Sequence, residues 1–301
     1  MKNSTSDARA ARASRSSAPV PTVGPWRLEG LIGAGQYTRV YRARPRNSAE
    51  DQPIDYALKV LRPEWTHESA AVQLMQREAF LGRQVSHPHL ISVLDFDVDT
   101  PPFYIVTPYL AGPSLKQVME ATGRLPVTRA LWIARQTAEA LGELHEVGWF
   151  HGDVKPANIH VAADGHATLL DLGFARKIDE SSNVLDRPLM GTLDYIAPEL
   201  ITSTVQADQR SDIYSLGATL FELLSGHQPF HSHDISSLAK AHLTERAPDP
   251  RRLRPDLPRS ISSLIKQMMA KQPLRRPQSV DELQRAIARC EIESFEWRYA
   301  A

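Results

Sequence analysis

The chain of 301 residues holds a single cysteine, Cys290, so it can form no internal disulfide and a cysteine-rich zinc site is excluded. A reducing, cytoplasmic setting is the expectation that follows. An excess of one charge is also lacking: 35 Lys and Arg stand against 35 Asp and Glu. No global field therefore draws the chain to nucleic acid or to an acidic membrane surface. No run approaches the roughly 20 apolar residues that a spanning helix requires, so no integral membrane segment is expected. The first residues lack the apolar stretch of a secretory leader.

What is present is an ordinary globular composition, 42% hydrophobic and 23% charged. Residues 1–25 depart from it. They are rich in Ser, Ala and Arg, with Lys2, Arg9, Arg12 and Arg15 against Asp7 alone. Such a segment buries too little apolar surface to offset chain entropy, and a disordered basic tail is expected there.

Order is expected from Trp26. Short stretches rich in β-branched and aromatic residues, Trp26 to Ile32, Tyr37 to Arg44, Asp55 to Leu61, Ser92 to Val98 and Phe103 to Thr107, read as strands between turn residues. A helix is expected among them over Glu68 to Gln84. From Leu115 the pattern turns helical: Leu131, Ala134, Ala138, Leu141 and His145 recur at helical spacing within Val127 to Glu146, and Ile213, Leu216, Leu220 and Leu223 share one face of Asp212 to Ser225. Ser260 to Met269 and Ser279 to Ala288 read as helices, each with Ser as an N-cap. Strands followed by helices imply an α+β architecture in two lobes, over residues 26–108 and 109–290, with residues 291–301 as a C-terminal tail. A cleft between lobes is a natural ligand site.

Three segments carry chemistry. Gly33-Ala34-Gly35-Gln36-Tyr37-Thr38-Arg39-Val40 joins two strands, which argues against a dinucleotide fold, where a helix must follow. Glycines there let backbone N–H groups approach phosphate oxygens, although the same pair of glycines suits any tight turn. In Tyr56-Ala57-Leu58-Lys59-Val60 a lysine stands in an apolar strand. Alone it reads as an outward-facing edge residue. Glu78, 19 positions on within the expected helix, supplies a carboxylate that could hold the ammonium against phosphates. The decisive segment is His151-Gly152-Asp153-Val154-Lys155-Pro156-Ala157-Asn158, followed after a hairpin by Leu170-Asp171-Leu172-Gly173. The ordered set Asp153, Lys155, Asn158 and Asp171 can supply a base, a phosphate cation and two oxygen ligands for Mg²⁺.

With these segments in place, residues from about Trp26 to Ala288 resemble the eukaryotic-type serine/threonine protein kinases, most closely their bacterial members. Gly191-Thr192 and Tyr195-Ile196-Ala197-Pro198-Glu199 look like the end of an activation segment, and Arg276 like the arginine that pairs with the carboxylate at Glu199. The resemblance implies a two-lobed kinase fold that moves the γ-phosphoryl group of Mg-ATP to Ser or Thr of a protein substrate. It implies that Lys59, fixed by Glu78, holds phosphates. Asp171 and Asn158 would bind Mg²⁺, Asp153 would act as base, and Lys155 would offset charge on the transferring group. Ile32, Gly33, Ala34, Gly35, Val40 and Ala57 would cover the nucleotide. Thr107 would stand as gatekeeper, with Pro108, Tyr109 and Leu110 as the hinge beside adenine and His160 beneath the ring. The alternative is a scaffold of the same fold that binds nucleotide or partners without transfer.

The sequence departs from the family pattern at three places. Gly152 stands where an arginine usually precedes the base, Leu172 where Phe is usual, and Thr38 where a third loop glycine is usual. The first argues against switching by a phosphate on the activation segment, whose hydroxyls include Ser181, Ser182 and Thr192.

Overall fold

Strands form where β-branched and aromatic residues alternate with polar ones. The computed structural model describes residues 21–49, 51–178, 193–202 and 206–300, with side chains to 295. In it β1 (Thr22–Val23), β2 (Trp26–Ala34), β3 (Thr38–Pro45), β4 (Tyr56–Leu61), β5 (Asp95–Asp97) and β6 (Tyr104–Pro108) build one antiparallel sheet, ordered β1-β2-β3-β4-β6-β5. The basic stretch of the expected tail lies outside the described residues. Its last part does not stay loose, since Thr22 and Val23 pair with Arg27 and Trp26.

Successive side chains of a strand point to opposite faces, so this sheet has two cores. Trp26, Leu28, Ala43, Leu58, Tyr104 and Val106 cluster on one face. Leu61, Val93, Phe103 and Ile105 cluster on the other with Ala71, Met75 and Ala79 of α1 (Ser69–Gln84). Gly82 near the end of α1 makes room for a neighbour: a Cβ there would run into the Val93 side chain. The strand expected over Ser92 to Val98 contracts to Asp95–Asp97. Ile91 N–H donates to Leu169 O and Val93 N–H to Gly82 O, which commits the start of that stretch to the second lobe and to α1 instead of the sheet.

Beyond Pro108 the chain is mainly helical, giving the two-lobed α+β fold. Its helices are α2 (Leu115–Thr122), α3 (Val127–Glu146), α4 (Arg210–Ser225), α5 (Ile235–Thr244), α6 (Arg259–Met268) and α7 (Val280–Ala300). Two small antiparallel pairs complete it, β7 (Trp149–Phe150) with β10 (Arg176–Lys177) and β8 (Ile159–Val161) with β9 (Ala167–Leu169). Ser114 and Gln117 cap α2 reciprocally, each accepting the other's backbone N–H. Ser279 caps α7 by accepting Glu282 N–H, whereas Pro258 stands at the start of α6 and Ser260 falls inside its first turn. α7 passes the expected end at Ala288, because residues 289–300 contain no Pro or Gly to stop it. The residues read as a tail from 291 continue this helix.

α4 is buried almost all round and forms the axis of the large lobe. Beside it Glu199 and Arg276, both buried, make a bidentate pair at 2.6 and 2.8 Å. Next to that pair Tyr214 Oη lies 3.0 Å from His242 Nδ1, and Lys271 Nζ reaches His242 O at 2.7 Å. Burial, then the Lys271 charge, lowers the His242 pKa to about 4. The unfolded chain takes up that proton near 6.5, so acidification from about 6.5 toward 4 favours unfolding, by roughly 2 kcal/mol at pH 5. Thermal melts between pH 7.5 and 5 should show a falling Tm whose slope flattens in His242→Gln. Equal slopes in the two proteins would remove His242 as the cause.

Candidate active site

The register of the sheet brings the first functional groups together. Val40 pairs with Lys59, and Ala57 with Thr107. Ala57 and Lys59 are two apart on β4, so these four side chains share one face. Lys59 Nζ lies 2.6 Å from Glu78 Oε2 of α1 and 3.0 Å from Asp171 Oδ1. Burial works against the Lys59 charge, but the carboxylates of Asp171 and Glu78 outweigh it and hold the pKa above its ordinary value. Burial pushes Glu78 up to about 7 against the pull of Lys59. For Asp171 the same burial is overcome by Lys59, then by Lys155 and His151, and its pKa falls below the usual carboxylate value. Asp171 holds φ 66°, the one positive φ outside glycine among the described residues. Strain of this kind persists only where surrounding structure imposes it. Here the Asp171 carboxylate bonds back to Gly173 N–H and to Lys59.

The loop that carries Asp153 hangs from a buried carboxylate on α4. Asp212, wholly buried, accepts His151 N–H at 2.8 Å and Gly152 N–H at 2.7 Å, and lies 2.9 Å from His145 Nε2. His151 accepts Asp153 N–H at Nδ1 and donates from Nε2 to Leu170 O, which ties the loop to the residue before Asp171. Asp153 Oδ2 in turn accepts Asn158 Nδ2 at 2.8 Å and meets Lys155 Nζ at 2.8 Å. Gly152 has φ 74°. That left-handed backbone costs an L side chain about 1–2 kcal/mol, so the residue standing in place of arginine is the one that fits without strain. The role of Asp212 is not evident in its sequence position, which reads only as one polar residue in an apolar helix.

A cavity of about 240 Å³ is lined by Gly35, Lys59, Glu78, Lys155 and Asp171 among others. Ile32, Gly33, Ala34, Val40, Ala57, Thr107, Tyr109, Leu110 and His160 lie outside its walls. In the hinge strip, Pro108 has no N–H and Tyr109 N–H donates to Asp55 O at 2.7 Å, so Leu110 carries the N–H left for a ligand. The Tyr109 ring is covered by the Arg42 guanidinium at 4.3 Å. His160 is buried next to Gly112, and that burial lowers its pKa, leaving the ring neutral at pH 7. Thr38 opens β3 with strand geometry, so the position makes no conformational demand for glycine.

An ammonium clamped between a helix carboxylate and a strained aspartate, on the wall of a cavity that Lys155 also lines, is an arrangement suited to phosphates. A family model for the protein kinase domain matches residues 26–286. The chain belongs to the protein kinase family. The kinase domain is 30% identical over 266 residues to the serine/threonine-protein kinase PrkC of Bacillus subtilis, covering 88% of this chain and 40% of that protein. It is 34% identical over 261 residues to PknD of Mycobacterium tuberculosis, covering 86% and 39%. Against pkn3 of Myxococcus xanthus it is 35% identical over 267 residues, covering 85% and 48%. The chain thus spans less than half the length of each of these relatives. Among the described residues no helix of the kinase domain is long and apolar enough to cross a membrane. Nor do they contain a cluster of three His, Cys, Asp or Glu side chains suited to a metal.

Proposed function

We propose that this domain is a serine/threonine protein kinase that transfers the γ-phosphoryl group of Mg-ATP to hydroxyls of a protein substrate. The observation that carries the reading is the Lys59 ammonium held by Glu78 and Asp171 on the wall of a cavity that Lys155 also lines. The donor set fits the nucleotide: a cation for phosphate oxygens, the Leu110 N–H at the hinge, and carboxylate and amide oxygens at Asp171 and Asn158 for Mg²⁺. Mg-ATP, when bound, supplies the phosphoryl group and the ions that neutralise its charge.

Each side chain then has a task. Lys59 grips phosphate oxygens, and Glu78 fixes its position. The backbone from Gly33 to Thr38 covers the phosphates. Asn158 spends its Nδ2 on Asp153, which leaves its amide oxygen as the atom that would hold the ion together with Asp171. Asp153 orients the substrate hydroxyl and accepts its proton as the oxygen attacks phosphorus. Lys155 offsets the charge that builds on the transferring group. Val40 and Ala57 cover the adenine ring from above, with His160 below and Thr107 at its inner edge. Lys155, two residues past the base, accords with Ser and Thr as acceptors, as do the names of the relatives. The lone buried thiol, Cys290, accords with a reducing, cytoplasmic setting. Phosphosite mass spectrometry of the pure protein with Mg-ATP and a generic protein substrate tests this function. New phosphate on Ser or Thr is expected, and its absence from a protein that binds nucleotide would favour the scaffold.

Regulation follows from Gly152 in the same reading. Ser181, Ser182 and Thr192 lie outside the described residues. The Lys59–Glu78 pair is closed, and Gly152 offers no cation to a phosphate. The double variant Ser181→Ala, Ser182→Ala should keep its rate within about twofold of wild type. A tenfold loss, with activation of the wild type by phosphorylation, would mean that another cation does the missing arginine's work.

A further inference from the structure

Four residues form the tip of the β2–β3 hairpin: Gly35, Gln36 and Tyr37 of the loop, and Thr38, the first residue of β3. The turn is closed by Gly35 N–H donating to Thr38 O at 2.9 Å. Thr38 still pairs with Leu61 of β4, but Gly35, Gln36 and Tyr37 lie beyond that ladder, and a loop with few packed neighbours is loose unless something else reaches it. Here the segment just after β4 does so three times. Arg62 N–H donates to Tyr37 O at 2.9 Å. Arg62 Nη1 donates to Gln36 O at 3.1 Å. The Trp65 ring meets the Tyr37 ring edge to face, with centroids 4.9 Å apart and planes at 80°, the geometry aromatic quadrupoles favour.

The segment bearing these contacts is itself well held. Pro63 to Trp65 form a 3₁₀ turn that leads into α1. Both aromatic rings are half-buried and pack against the cluster of Leu61, Ala71 and Met75. Ala71 and Met75 belong to α1, the helix that carries Glu78. The loop tip and the helix are thereby fastened to one short piece of chain. All four tip residues line the cavity whose other walls include Lys59, Lys155 and Asp171. Val40, Ala57 and Thr107, by contrast, sit within the β3–β4–β6 ladder, away from its Thr38 end.

We propose that Trp65, together with Arg62, latches the tip of the nucleotide loop so that its backbone N–H groups meet the phosphate chain of ATP. The proposal rests on the kinase reading and deepens it. Trp65 touches no substrate and acts through Tyr37, which makes it a positioning residue. Its removal lets the tip drift from the phosphates while the surface for the adenosine half stays in place.

The latch is tested by binding of Mg-ATP and of adenosine to the full chain, measured by calorimetry on wild type and Trp65→Ala. The dissociation constant for Mg-ATP should rise about tenfold, the loss of one aromatic contact and the order it imposes, while that for adenosine moves less than about twofold. KM for ATP should rise in step with kcat nearly constant, and Trp65→Phe should recover most of the loss. Tyr37→Leu breaks the same contact from the other side and must give the same split, which keeps the test open if Trp65→Ala does not fold. Equal weakening of Mg-ATP and adenosine, or no weakening of either, overturns the latch and leaves the kinase reading intact. A wild type that binds no Mg-ATP at all overturns both.

Discussion

Asp153→Asn, Lys59→Met and Asp171→Ala should each lower phosphoryl transfer by about 10²–10⁴-fold while the protein stays folded, the range for loss of a positioned acid–base group or a charge-stabilising donor. The three act at different places. Asn at 153 keeps the shape that bonds Asn158 but loses the basicity that takes the hydroxyl proton. Ala at 171 removes an oxygen ligand and leaves Lys59 paired with Glu78. Met at 59 strands Glu78, but burial already brings that carboxyl to about 7, so it takes up a proton and stays buried as a neutral acid. Rates should be read on a protein substrate beside circular dichroism of each variant. Full activity of folded Asp153→Asn would end the proposed mechanism.

Arg276→Ala should lower stability by about 3–5 kcal/mol, because it leaves Glu199 charged and buried without its partner. Arg276 is 2% exposed and Glu199 5%. The guanidinium also donates to Ala270 O, Arg210 O and Lys271 O, so its removal frees three carbonyls as well as the carboxylate. Ser211 Oγ alone would remain on Glu199. At about 2–4 °C per kcal/mol in large domains, Tm should fall by roughly 10 °C. Replacing both partners, as Glu199→Leu with Arg276→Met, should recover much of that loss, since an apolar pair leaves no stranded charge. A drop under about 2 °C in Arg276→Ala would show that water or rearrangement satisfies Glu199 at little cost.

The site was readable from sequence to the extent that its chemistry sits in short polar runs at fixed spacing. Asp153, Lys155 and Asn158 lie within six residues of one loop, and Lys59 and Glu78 in a strand and a helix whose periodicities are plain. What escaped depends on contacts between distant segments. Nothing in the spacing of Asp212 says that both its oxygens accept loop N–H groups some 60 positions away. The strand expected from Ser92 alternates well enough, yet Ile91 just before it bonds to Leu169 and Val93 within it bonds to Gly82. Tyr109 looked like any hinge residue until its N–H was found on Asp55. Trp65 reads as a lone aromatic in a linker, and only folding brings it to the tip of another loop. The length of α7 is a simpler miss: the chain carries no stop signal after Ala288, and the helix continues.

Gly82 and Val93 behave as a hole and its plug. The helix that carries Glu78 is seated against the segment before β5 at Gly82, where the Val93 side chain occupies the place a Cβ would take. Glu78 lies four positions earlier, one turn along the same face of α1. A methyl group added at Gly82 would act as a wedge under that turn, prising Glu78 away from Lys59, while trimming Val93 would let the wedged helix settle back. In the kinase reading, the position of the carboxylate that holds Lys59 is therefore geared to a steric fit that carries no charge.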